Sequence, residues 1–316
     1  DLRMSRGLGD VYKRQVSVST VSRVLNDRPD VSPAVRAAVL EAVRSSNYVP
    51  NNSARDLVKV TSDAVGIIVR GVSNPFYADI IKTVEREIDA AGYTMVMQQI
   101  GTAEDEIARG AIMEREKKLR GIIFLGGRSD CAPEDMGTVT VPFVCCSFTN
   151  SFGTLSKSEY SSVSIEDVET ASRAVRELHR LGHRRIAALV AATDDRSISE
   201  LRYHGYARAL RECGLEPEPE LVACAGSFGL HDAYAATQRL LDSGAEFTAI
   251  FAISDMMAIA AIKALEDRGR RVPESCSVIA IDGLELSEYT RPTLTTLCQP
   301  SERMGAESVR ILMEMI

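Results

Sequence analysis

The chain has 316 residues, with 44 acidic against 37 basic side chains and a formal net charge of −7. This length exceeds what one small core needs, so we expect at least two domains. The acidic balance argues against a protein that holds nucleic acid through a broad basic surface, and no apolar run approaches the ~20 residues that a membrane-spanning helix needs, so no membrane partner is expected.

The first fifteen residues differ from the rest of the chain. They show no apolar stripe at helical spacing, and Ser5–Gln15 matches the translation of a transposase adapter that is used in preparing sequencing libraries. We therefore predict that residues 1–15 are an assembly artefact that replaces the true start, and the alternative is a divergent natural arm.

Three short helices are predicted after this segment. The first covers residues 18–26, where apolar residues recur at helical spacing. The second covers residues 33–46 and opens with serine followed by proline, a common helix start. The third covers residues 52–58 and is too short to be stable by itself in water, where about 12 to 15 residues are needed.

The first predicted helix carries short polar side chains and one arginine. Such groups suit phosphate oxygens and base edges in the major groove of DNA, although the pattern taken alone is more typical of a solvated helix face. Residues 16–60 hold six basic and four acidic side chains, so DNA binding would depend on ordered contacts more than on a basic surface. The candidate DNA contacts on this helix are Val18, Ser19, Thr20, Ser22, Arg23 and Asn26.

From residue 64 onward, apolar strand-like runs alternate with amphipathic helical patterns. This alternation predicts an α/β fold with parallel sheets that are covered on both faces. The predicted strands are 64–69, 93–98, 121–126, 141–146, 185–191, 249–253 and 277–281, and the predicted helices are 75–92, 105–118, 169–181, 202–213, 232–243 and 255–268. A ligand of such a fold lies beyond the carboxyl ends of the strands, so the sequence predicts a site at loops 71–77, 146–149, 193–202, 253–256 and 282–289.

The motifs of common enzyme classes are missing from the sequence. It has no phosphate-binding G-x-x-x-x-G-K-[ST], no nucleophile G-x-S-x-G and no metal-binding H-E-x-x-H. Its seven cysteines are scattered, without metal-ligand spacing, and are interpreted as core thiols in a reducing cytoplasm. We expect no enzyme, no metal and no cofactor. A solute-binding protein without DNA activity remains as the alternative, and it would require a secretory signal in place of the helical segments.

Several motifs occur here in the order typical of one protein family. They include VSVSTVSRVLN, YVPNNSARDL, NPFY, LGHRRIA and RPTLTTLCQP. On these motifs, which span most of its length, the chain resembles the lactose-repressor/galactose-repressor (LacI/GalR) family of bacterial transcription factors. The resemblance implies a cytoplasmic repressor that binds a palindromic double-stranded DNA operator as a homodimer and is controlled by a small-molecule effector, a sugar.

The resemblance also implies a domain order. Residues 16–50 would be a helix-turn-helix DNA-binding headpiece whose first helix is missing, and residues 51–60 would be a hinge helix. Residues 61–316 would form an effector-binding and dimerisation core of the periplasmic-binding-protein type, truncated at its C-terminus. Within this core, the first lobe would comprise about 61–163 and 292–316, and the second lobe about 164–291.

Site residues carry over from the family position by position. In the hinge, Leu57 would insert into the minor groove at the operator centre, with further DNA contacts at Asn51 and Ala54. In the core, Arg202 is the strongest candidate because its planar fork of donors can bridge two hydroxyls or a carboxylate. The complete set of implied effector contacts is Phe76, Tyr77, Asp167, Arg202, Phe228, Asp282 and Gln299.

Some of these positions have other interpretations. At least one of Phe76 and Tyr77 could be plain core, and Asp282 could serve a cap or a turn. Asp255 is expected to be a helix N-cap and not a ligand contact. Because Cys146, Ser147 and Phe148 replace the family's common Asp-Arg pair, the resemblance does not specify which sugar binds.

Overall fold

A computed structural model describes residues 18–25, 28–45, 62–71, 74–102, 104–156 and 158–316. The chain divides into two units, residues 1–60 and 61–316. The predicted artefact, the predicted hinge helix and the candidate contacts Asn26, Asn51, Ala54 and Leu57 lie outside the described residues.

Two helices make up the described part of the first unit. These are α1 (Val18–Leu25) and α2 (Pro33–Ser45), close to the predicted bounds. Val21 and Val24 of α1 pack against Val39 and Ala42 of α2 in a small buried cluster. The apolar stripes that predicted the helices therefore face each other, as amphipathic helices require.

The second unit alternates strands and helices, as the sequence predicts. Its strands are β1 (Ala64–Arg70), β2 (Thr94–Ile100), β3 (Gly121–Leu125), β4 (Phe143–Cys146), β5 (Ser161–Val163), β6 (Ile186–Val190), β7 (Val222–Cys224), β8 (Ala249–Ala252), β9 (Ser277–Asp282) and β10 (Thr295–Cys298). Its α-helices are α3 (Phe76–Ala90), α4 (Glu106–Lys117), α5 (Pro133–Met136), α6 (Asp167–Arg180), α7 (Ile198–Glu212), α8 (Leu230–Asp242), α9 (Asp255–Asp267) and α10 (Ser301–Met315). Within the described ranges, no helix is both long and apolar enough to cross a bilayer.

The strands form two five-stranded parallel sheets, one in each lobe. The first has the order β2-β1-β3-β4-β5 and the second β10-β9-β8-β6-β7. Strand β1 shows why both faces are covered: Val65 and Ile67 belong to one buried cluster, while Ala64 and Ile68 belong to another. Because side chains alternate along a strand, each apolar strand supplies two cores, one against each helical layer.

The return of the chain to the first lobe differs from the prediction. Residues 292–316 were assigned to the first lobe, but β10 pairs in parallel with β9 of the second sheet, with Thr295 opposite Ile279. The chain therefore returns after Cys298, and α10 then packs against α3 and the first sheet. The sequence does not predict β10 because its four residues are only partly apolar, and β5 and β7 were missed because they have three residues each.

Candidate functional site

The centre of the site is Arg202, which is 2% exposed in the second lobe. It lies inside α7, since that helix begins at Ile198 and not at residue 202 as predicted. The Arg202 Nε donates to Asp167 Oδ1 at 2.8 Å, and its Nη1 donates to the carbonyl oxygen of Ile253 at 2.5 Å. The guanidinium is thus held rigidly at the carboxyl ends of β6 and β8.

Asp282, the last residue of β9, joins Arg202 to the other lobe. Its Oδ1 lies 3.6 Å from Arg202 Nη1 and accepts a hydrogen bond from Gln299 Nε2 at 2.8 Å. Its Oδ2 accepts from Asn74 Nδ2 at 3.4 Å, and Asn74 lies in the first lobe between β1 and α3. Asp282 also has a φ of 148°, a backbone conformation that residues with a side chain rarely adopt and that marks many ligand sites.

Burial dominates the electrostatics of this cluster. It raises the pKa of Asp282 to about 7, against the opposing effect of Arg202 and with a further rise from Asp255. Burial also raises the pKa of Asp167, again opposed by Arg202. For Arg202, burial favours the neutral form, but the carboxylates of Asp167 and Asp282 outweigh it and hold the pKa above its ordinary value. Asp167 and Asp282 share the one guanidinium of Arg202, so this cluster holds one more acidic group than basic groups.

The two adjacent aromatic residues begin α3 on the first-lobe side. Phe76 and Tyr77 are both buried, with ring centroids 5.9 Å apart. The pKa of Tyr77 rises to about 12, mainly through burial, with smaller effects from Arg202 and Asp282. Its hydroxyl lies against Gly126, where an added Cβ would be only 2.6 Å away. Both rings pack in the first-lobe core, and Tyr77 in addition brings a neutral hydroxyl to the charged cluster.

Comparisons with known proteins bear on both units. A family model described as bacterial regulatory proteins, lacI family, matches residues 13–51, and one described as periplasmic binding protein-like domain matches residues 175–316. The HTH-type transcriptional regulator MalR of Clostridium butyricum is 38% identical over 305 residues, which cover 95% of this chain and 90% of that protein. The chain belongs to the lacI family of bacterial regulatory proteins.

Two further members of the lacI family illustrate the likeness. The HTH-type transcriptional repressor CytR of Escherichia coli strain K12 is 31% identical over 96% of this chain and 87% of its own length. The solved complex of the transcriptional regulator CelR with cellobiose is 30% identical, with a TM-score of 0.71 over 98% of this chain and 93% of that one.

The structure brings together most, but not all, of the residues that lacI-family resemblance singled out. Asp167, Arg202, Asp282 and Gln299 are joined by ion pairs or hydrogen bonds, and the charges of Arg202 and Asp282 act on Tyr77. Phe228 lies between β7 and α8, half-buried against the second-lobe core.

The prediction that Asp255 is the N-cap of α9 was wrong. Ser254 is the N-cap of α9, since its hydroxyl accepts from the Met257 N–H. Asp255 is fully buried, and its carboxylate accepts from the Leu284 N–H at 2.8 Å and from the hydroxyls of Ser287 and Thr296. It ties α9 to the turn after Asp282 and to β10, so it positions the backbone on either side of the cluster.

Asn74 was also missed, although a signal was present. It opens the NPFY motif, and its side-chain oxygen accepts from the Phe76 N–H at 3.1 Å while its amide donates to Asp282. An asparagine before a proline at a helix start predicts a local turn. The sequence therefore provides no reason to expect the second contact of Asn74, with Asp282 of the other lobe.

On the DNA side, α1 carries the described candidates Thr20 and Arg23. Arg23 is exposed, with Nη1 3.5 Å from Asp30 Oδ2, and such a solvent-exposed pair restrains it only weakly. The backbone of Val18, Ser19 and Ser22 lies in α1, but their side chains lie outside the described residues.

Proposed function

We propose that this protein is a sequence-specific DNA-binding repressor whose operator affinity is controlled by a sugar bound between the two core lobes. The observation that carries the proposal is the buried cluster of Arg202, Asp167 and Asp282, which meets Asn74 of the first lobe at the carboxyl ends of the strands. MalR and CytR are named as transcription regulators, and CelR was solved with a sugar.

The chemistry of the cluster suits a hydroxylated ligand. Sugar hydroxyls both donate and accept, so one diol can accept from Arg202 and donate to Asp282. The Asn74 to Asp282 hydrogen bond is long at 3.4 Å, and a bound hydroxyl could replace it with two shorter bonds. Tyr77 supplies a further neutral donor, and the half-buried Phe228 would offer apolar surface to a sugar ring. Phe76, which is buried, would support the Tyr77 ring from the core. Gln299 would hold Asp282 in place.

Control of DNA binding follows from linkage. A ligand that bridges both lobes binds one lobe arrangement better than another and so shifts the population between them. The headpiece would read DNA through Val18, Ser19, Thr20, Ser22 and Arg23 of α1 and through Asn26, which follows it, while Asn51, Ala54 and Leu57 would contact the minor groove. A homodimer would match a palindromic operator. Such a protein acts on chromosomal DNA in the cytoplasm and performs no catalysis.

The alternative of a solute-binding protein without DNA activity explains less. It accounts for the match over residues 175–316 but not for the match of residues 13–51 to a regulatory family.

The test selects DNA from a random duplex pool with the chain whose residues 1–15 are replaced by the corresponding segment of MalR. We expect a palindromic consensus, and we expect one sugar of a panel to change affinity for it by about fivefold or more, in the usual range of allosteric coupling. No enriched sequence, or sugar binding without any effect on DNA affinity, would contradict the proposal.

A further inference from the structure

We infer that the first lobe carries a second polar subsite, built by Arg70, Glu106, Arg128, Ser129 and Asp130, that takes a second hydroxylated ring, so that the effector is a disaccharide or longer. This inference rests on the proposed function. It concerns a different set of residues from the Arg202 cluster and has a separate test.

Glu106 is the core of this subsite. It lies in the first turn of α4 and is fully buried. Its Oε1 accepts from the Arg128 N–H at 2.7 Å, but its Oε2 only approaches Arg70 Nε at 3.4 Å, without the geometry of a hydrogen bond. Half of a buried carboxylate is therefore left with acceptor capacity.

Ser129 is also fully buried, and its hydroxyl makes no hydrogen bond. Over the described part of the chain, the buried side-chain nitrogen and oxygen atoms that lack a hydrogen bond all fall in this one region: Arg70 Nε, Glu106 Oε2, Arg128 Nε, Ser129 Oγ and Asp130 Oδ1. Four of these atoms form loose ion pairs, at 3.4 and 3.5 Å, and the Ser129 hydroxyl has no such pair. Native proteins leave few buried polar atoms unsatisfied, so a concentration of them indicates an external partner.

The region adjoins the Arg202 cluster and faces the second lobe. One loop, residues 126–130, follows β3: the Tyr77 hydroxyl lies against Gly126, and Glu106 Oε1 lies against Gly127. Across the cleft, the Ser129 N–H donates to the carbonyl oxygen of Arg196 at 3.2 Å. A ligand held by Arg202 and Tyr77 therefore needs only to extend along this loop to reach Glu106 and Ser129.

The charges select the kind of ligand. Two arginines and two acids balance each other, so the region offers both donors and acceptors without a net charge. A phosphate would meet Glu106 and Asp130, and an apolar group would leave the same atoms unsatisfied. A neutral ring with several hydroxyls satisfies donors and acceptors together. At Gly127, an added Cβ would lie 2.5 Å from the Phe148 side chain. The protein is therefore closely packed between this loop and Phe148.

The test is calorimetric titration of the full chain with glucose, galactose, maltose, cellobiose, lactose and maltotriose. We expect one disaccharide to bind at least tenfold more tightly than either monosaccharide. Ser129→Ala should lower the affinity for that disaccharide by about three- to tenfold, the contribution of one hydrogen bond. It should leave monosaccharide affinity and melting temperature unchanged. Glu106→Gln should lower the affinity for the disaccharide more strongly, by about tenfold or more, because a charged acceptor is lost.

The matched control is Ser308→Ala, which removes another fully buried serine hydroxyl that donates to the Met304 carbonyl in α10. It should lower stability without changing sugar affinity. Equal affinity for mono- and disaccharides, or a disaccharide gain that survives both Ser129→Ala and Glu106→Gln, would overturn the subsite alone. Failure of every sugar to bind at 10 mM would overturn the proposed function itself.

Discussion

Removing Arg202 tests the central cluster through two independent readouts. Arg202→Ala deletes the hydrogen bond to Asp167 and the ion pair to Asp282, and it leaves two buried carboxylates without their cation. Breaking a buried pair by removing one partner costs about 3–5 kcal/mol. For a unit of this size, about 2–4 °C is lost per kcal/mol, so the core should melt roughly 6–20 °C lower.

Sugar binding should fall as well, since a hydrogen bond to a charged group contributes about 1.5–3 kcal/mol, or at least tenfold in affinity. Arg211→Ala is the matched control, because Arg211 lies on the same helix, is 61% exposed and lies 3.8 Å from Glu216 at the surface. Such surface pairs contribute about 0–1 kcal/mol, so this variant should melt within a few degrees of wild type and bind sugar normally.

The assays are thermal unfolding at pH 7.5 and calorimetry with the sugar that the wild-type chain binds. If Arg202→Ala retained wild-type sugar affinity, Arg202 would be removed from the site and the assignment of Asp167 and Asp282 would lose its support. If it melted like Arg211→Ala, the buried pairs would not carry the energy that we assign to them.

Four further outcomes follow from the same contacts. The pKa of Asp282 in the folded protein, about 7, lies above its value in the unfolded chain, so wild type should lose stability relative to Asp282→Asn as pH rises from about 4 to 7. Urea midpoints of wild type and variant that change equally with pH over this range would refute this. Asp255→Asn removes a charge that raises the pKa of Asp282, so it should weaken sugar binding and move the pH-dependent loss of stability to lower pH. An unchanged dependence of the urea midpoint on pH would argue against this. In the chain whose residues 1–15 are replaced by a lacI-family first helix, Leu57→Ala should weaken specific operator binding and DNA bending in gel-shift assays while leaving sugar affinity intact. Unchanged bending would remove Leu57 from the minor groove. Replacing residues 1–15 with a lacI-family first helix should raise operator affinity, and equal affinity of both chains would contradict the artefact hypothesis.

Periodicity predicted the repetitive parts of the fold. Strand Ile186–Val190 is continuously apolar and helix Glu106–Lys117 runs over 12 residues, so their type and approximate bounds follow from the sequence. Strand β10 has four residues, and its place in the second sheet depends on pairing with β9 and on the Thr296 hydroxyl contact to Asp255. These are interactions between residues distant in sequence, which local patterns do not encode.

The site divides in the same way. Resemblance singled out Arg202 and Asp282 by position, but not the role of Asp255, because its partners are contributed by segments 29 to 41 residues away. Glu106 and Ser129 gave no sequence signal at all. An acid in the first turn of a helix usually stabilises the helix dipole, and only the structure shows that Glu106 is buried with an unsatisfied oxygen.

The most direct test of sugar control measures coupling in both directions. Linkage requires that the factor by which the sugar changes operator affinity equals the factor by which the operator changes sugar affinity. We therefore compare the sugar Kd of the free dimer with that of the dimer saturated with its selected operator, alongside operator Kd values with and without sugar. The account predicts two equal ratios of at least about fivefold in wild type. A sugar Kd that is the same on free and operator-bound protein would contradict it.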